Sequence, residues 1–197
     1  MLVVICVVVI LSALAFPTAT RAIEVSRKMS CSSNLRTLHT GLSLYANEHN
    51  GFYPAPTDNP LSSGGVGTWS MVLMLGDYIG VRAVTANVKN PFLCPEAYRT
   101  YSNRLARRTY TMNTLPATAS AVSALRLSRP TQTIILADGV DGGAGEGDTI
   151  FYFRSSSISR IDPRHGGSFN ALFVDGHISE MKKTDPDLVS YLDNLQQ

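Results

Sequence analysis

One helical pattern runs from Leu2 to His49, and the rest of the chain must be built around it. Its first part, MLVVICVVVILSALAF from Met1 to Phe16, carries no charge and is rich in Val, Ile and Leu. Such a run is unusual for a buried element of a soluble protein. It is also slightly short of the roughly 17–25 residues that cross about 30 Å of hydrocarbon. No Lys or Arg precedes Arg21, so the basic n-region of a signal peptide is missing. The expectation is a membrane stem whose apolar segment extends upstream of Met1; an in-frame start preceded by basic residues would support it. Arg21, Arg27 and Lys28 follow the run, but one flank alone gives no orientation.

Pro17 should kink this pattern rather than end it. Beyond it, Leu35, Leu38, Leu42 and Tyr45 recur at helical spacing and share one face. Ser33, Arg36, Thr40 and Asn47 lie opposite. Asn50–Gly51 stops the helix, because Gly tolerates positive φ just past a C-terminus, and Pro54 and Pro56 forbid its resumption. The whole helix would be on the order of 70 Å long, half in lipid and half packed on a folded domain.

That domain has an ordinary globular composition, 44% hydrophobic and 16% charged over the chain, far from a disordered one. The net charge of +2 is too small to argue for nucleic acid. The local run Arg99, Arg104, Arg107 and Arg108 reads as a solvated positive face. After a Pro/Gly/Ser-rich connector, SMVLMLGDYIG predicts a short helix ending near Gly76 or Gly80. QTIILAD, DTIFYFR, SISRID, FNALFVD and HISEMKK then read as strands of an antiparallel meander. The tail predicts a short helix capped by Thr184 or Asp185 with a proline at its start.

The stem, the proline, the basic turn and SCSSNLRTLHTGLSLYANEHNGFYP resemble type IV prepilins and type II secretion pseudopilins. The chain is especially similar to the bacterial prepilin-like group marked by a His, nine residues, then Asp-Gly, matched by His165, Asp175 and Gly176. FLCPEA, YTMN and SRPTQTIILADG follow in the order that group has them. The resemblance implies an α+β, pilin-like fold, with the long N-terminal helix packed on an antiparallel sheet. It implies a membrane stem over residues 1–20, an amphipathic half over 21–50, a β-rich domain over 51–184 and a C-terminal helix over 185–197. It implies a non-enzymatic subunit, single-pass in the cytoplasmic membrane with its domain outside. Its partners would be other pilin-like subunits, met through the helix, and membrane lipid. The Gly-Phe-Thr-Leu-Ile-Glu-like stretch that prepilin peptidase cuts is missing, so that partner is expected only if the true start lies upstream.

Of the three cysteines, Cys6 lies in the apolar run as a small hydrophobe. No Cys/His spacing suggests zinc. Outside the cytoplasm a Cys31–Cys94 bridge can persist and would stabilise by roughly 4 kcal/mol in the chain-entropy model; two separately buried thiols are the alternative.

RHGGSFNALFVDGHISEMK, Arg164–Lys182, gathers His165, Asp175 and His177. As chemistry, these residues could bind a metal or act as base and orienter; an anchored metal-dependent enzyme would be built on His165, Asp175 and Asp138. As structure, Gly166–Gly167 turns into a buried strand and Asp175–Gly176 makes a two-residue hairpin turn. His165 and Asp175 would then sit at opposite ends of an extended segment, roughly 30 Å apart. The structural reading accounts for more of the residues. Asp138, Asp141, Glu146 and Asp148 among glycines could form a calcium loop, but the spacing is not that of an EF-hand and a solvated hairpin loop explains it. No other cofactor is indicated. The rival to the scaffold reading is a minor-pilin-like protein that contacts DNA or a surface through the Arg99–Arg108 run.

Overall fold

The computed structural model describes residues 1–56, 68–81, 90–101, 108–114, 121–141 and 152–196, excepting the side chains of residues 2, 9, 10, 12–19, 100 and 196. Helix α1 spans Leu2–Glu48 without interruption at Pro17. It ends as the turn chemistry predicts, with Asn50 at φ 54° and Gly51 at φ 79°. Among the described residues, no helix is long and apolar enough to cross a membrane.

Five strands form a mixed sheet: β1 (Tyr110–Asn113), β2 (Ile134–Asp138), β3 (Tyr152–Phe153), β4 (Phe169–Phe173) and β5 (Ile178–Met181), in the order β3-β1-β2-β4-β5. The expected antiparallel meander is corrected here. YTMN is a strand, β1, and β3 pairs with it in parallel. Both edges of β2 are taken, by β1 and β4. β3 therefore crosses to the far side of β1, where it runs in the same direction as β1. SISRID is also corrected: Ser155–Arg160 forms 3-10 turns. Ser157 Oγ accepts the Arg154 N–H at 3.0 Å, and such local bonds compete with a strand ladder.

The sheet is a middle layer. On one face lie Cys31, Leu35, Leu38 and Leu42 of α1, packed over Tyr110, Met112, Leu136 and Leu172. On the other, Phe153, Ile161, Phe169 and Phe173 meet Leu188 and Leu192 of α4 (Leu188–Asp193). Every residue of β2 and β4 is buried, as strands covered on both faces must be. A register shift between Ile134 and Leu136 leaves Ile135 as an extra residue. This bulge turns both Ile135 and Leu136 toward α1, while Ile134 and Ala137 face α4.

The short helix α2 (Trp69–Leu75) ends at Gly76 and buries Trp69, Val72 and Leu73. The tail helix is preceded by Asp187, not by Thr184 or Asp185. The Asp185 carboxylate instead accepts the Lys182 N–H at 2.7 Å, which closes the turn after β5.

Candidate functional site

The two halves of the His-Asp-Gly signature bracket β4. At its start, Gly166 (φ 66°) and Gly167 (φ 88°) are both left-handed, and His165 and Ser168 pair across them. Two consecutive positive φ values make a tight turn whose twist suits the strands it joins. At the end of β4, Phe173 N–H donates to His177 O and Gly176 N–H to Phe173 O, both at 3.0 Å. That is a three-residue loop of Val174, Asp175 and Gly176, not the expected two-residue turn. Only Gly176 needs positive φ, at 92°. The loop is also pinned from outside: His39 Nε2 lies 3.0 Å from Val174 O, and a Cβ on Gly176 would sit 2.8 Å from the His39 ring.

His165 and Asp175 do not pair. Asp175 meets His177, Oδ1 to Nδ1 at 2.6 Å, on a half-exposed turn. His165 turns inward to Asp138, Nε2 to Oδ2 at 3.3 Å, with the two side chains 3% and 0% exposed. Cys31 and Cys94 are joined in a disulfide, which excludes two separate thiols. Cys94 Sγ lies 3.6 Å from His165 Nε2. The bridge ties α1 to the loop before β1, and Tyr110 OH donates to Cys31 O at 3.2 Å beneath it.

Arg164 completes the cluster. Its guanidinium is fully buried, 3.2 Å from Asp162 and 3.8 Å from Asp138. It donates to Tyr101 OH at 2.9 Å, to Thr109 O at 3.1 Å and to Gly139 O. Burial works to lower its pKa, but Asp138, Tyr101 and Asp162 outweigh it and hold the group above its ordinary value. Burial pushes the Asp162 carboxyl up, with Arg164 opposing. Asp138 Oδ2 accepts the Asn170 N–H from β4 at 2.7 Å. One carboxylate at the end of β2 thus meets the next strand, the histidine and the arginine. Sequence reading grouped His165 and Asp138 only in the enzyme alternative, together with Asp175; the structure joins the first two and leaves Asp175 at the other end of β4. Sequence reading missed Arg164, Tyr101, Thr109 and Asn170, whose only signal was polarity beside strand ends.

Two other expectations change. Arg108 is 3% exposed and donates to Thr68 and Ser70 hydroxyls, both at 3.0 Å. Arg99 is exposed and paired with Glu96, while Arg104 and Arg107 lie outside the described residues. The basic face therefore loses a member to the interior. Of the calcium candidates, Asp138 is committed inward, Asp141 is half-buried, and Glu146 and Asp148 lie outside the described residues. Comparison with family models, with curated proteins and with solved structures found no match to this chain.

Proposed function

We propose that the protein is a non-enzymatic, pilin-like structural subunit, anchored and assembled through α1. The observation that carries this reading is the unburied apolar surface of the outer half of the helix. Val3, Val4, Ile5, Val7, Val8 and Leu11 are 49% to 74% exposed, as are Ile23, Val25 and Met29 at 50% to 67%. Exposed apolar side chains in such numbers on one helix call for lipid or protein to cover them. The inner half is already occupied by the sheet, so one helix offers a docked end and an open end. The polar cluster supports a scaffold over a catalyst. Its histidine and aspartate are buried and bonded to one another, and they tie the end of β2 to the turn before β4.

Cys6, exposed and unpaired in the open end, provides the test. With the full chain expressed in bacterial cells, the scaffold reading expects recovery in the membrane fraction. Mild oxidation should give a disulfide-linked dimer that Cys6→Ser abolishes. A chain recovered soluble, with no Cys6-dependent adduct, would overturn the reading.

A further inference from the structure

The disulfide, the histidine and the aspartate have a second arrangement available to them. The donor atoms of Cys31, Cys94 and His165 all lie within 4.8 Å of one another, and all three residues are buried. Cys94 Sγ is 3.6 Å from His165 Nε2, and Nε2 is 3.3 Å from Asp138 Oδ2. A tetrahedral zinc ion, with bonds of about 2.3 Å to sulfur and about 2.0 Å to nitrogen or oxygen, sets neighbouring ligands roughly 3.3–3.8 Å apart. Two edges of such a tetrahedron therefore already have the required length. The two sulfurs must part, and Cys31 Sγ must close with the Asp138 oxygen around the ion; cleaving the Cys31–Cys94 bond frees both sulfurs to do so.

The geometry points to a zinc site in the reduced chain, formed by Cys31 Sγ, Cys94 Sγ and His165 Nε2, with Asp138 Oδ2 in the fourth position. The carboxylate already has an outer-shell partner. Asp138 Oδ2 accepts the Asn170 N–H, which orients the carboxylate as ligand-bound carboxylates usually are. Asp138 Oδ1 is buried without a hydrogen-bond partner, beside Arg164. The charges also balance. Two thiols lose their protons as a divalent cation enters, so the net charge of the buried cluster does not change. The ring proton of His165 moves to Nδ1 to free Nε2. A cleft of about 300 Å³, lined by Lys28, Glu96, Arg164, His165 and Gly166, reaches the histidine from solvent. The junction between α1 and the sheet would then be closed covalently when oxidised and by a metal when reduced. This inference is independent of the assembly role proposed above.

The test uses the full chain treated with a phosphine reductant. Two electrons from the phosphine cleave the Cys31–Cys94 bond. The phosphine takes an oxygen from water to become its oxide, and the sulfurs take up the two protons. Titration with Co²⁺ should saturate at one equivalent and show the visible bands of a tetrahedral site and thiolate-to-cobalt charge transfer. Zn²⁺ should bleach both, and the oxidised chain should show neither. His165→Gln and Asp138→Asn should each weaken Co²⁺ binding by more than about tenfold and shift the visible bands. A reduced chain that keeps its circular dichroism and binds no Co²⁺ would overturn the inference. So would unchanged affinity and spectrum in His165→Gln, or Co²⁺ uptake by an unfolded chain alone.

Discussion

Arg164 is the residue whose loss the interior can least absorb. Its guanidinium lies between two carboxylates and serves a hydroxyl and two carbonyls, with its side chain fully buried. Removing one member of a buried ion pair leaves the other uncompensated, at about 3–5 kcal/mol. Arg164→Met should lose that much in urea unfolding. Arg164→Lys should recover little, because a compact ammonium cannot reproduce the planar fork. Gly176 is constrained twice, by φ 92° and by the His39 ring. Gly176→Ala should destabilise by about 1–3 kcal/mol. Adding His39→Ala should relieve the collision and leave the backbone strain, so a double-mutant cycle should show coupling. Asp-Gly was readable as a turn from its chemistry alone. The approach of His39 was not, because it comes from α1, 137 positions away in the chain (176 − 39 = 137).

At the scale of elements, the junction of α1 with the sheet carries both covalent and apolar attachment. The bridge spans a sequence separation of 63, for which the loop-entropy model gives about 4 kcal/mol. Reduction in metal-free buffer should lower the unfolding free energy by that order, read as a shift in urea midpoint. Leu38 is fully buried between α1 and the sheet, and Leu38→Ala should cost about 2–5 kcal/mol. The apolar stripe of α1 was legible because a 3.6-residue period is a local property. The stretch SISRID has the alternation of a strand but becomes 3-10 turns, because the Ser157 hydroxyl bonds the Arg154 backbone and competes with a strand ladder.

At the scale of the whole molecule, buried phenols make stability depend on alkaline pH. Tyr110 is completely buried, and burial pushes its pKa well above the ordinary 10.0. The folded state therefore holds this proton more tightly than the unfolded chain. The stability it confers is full below pH 10.0 and is lost as pH rises through the folded value. Tyr53 is shifted in the same direction by burial. Urea midpoints should hold steady from neutral pH to about pH 9 and fall beyond pH 10. Tyr110→Phe should flatten that decline, at the loss of the hydrogen bond to Cys31 O.

The long helix and its stop, the buried character of β2 and β4, and the turns on either side of β4 were all determined by residues close together in the chain. Each rests on a local cause: side-chain period, the backbone freedom of glycine, or the missing N–H of proline. Strand order, the bulge at Ile135, the burial of Arg108 and the meeting of His165 with Asp138 were decided only when the layers closed. They depend on which sheet edge stays open and which polar groups are left without water. Such groups must find partners wherever the packed chain supplies them, and no local pattern encodes that choice.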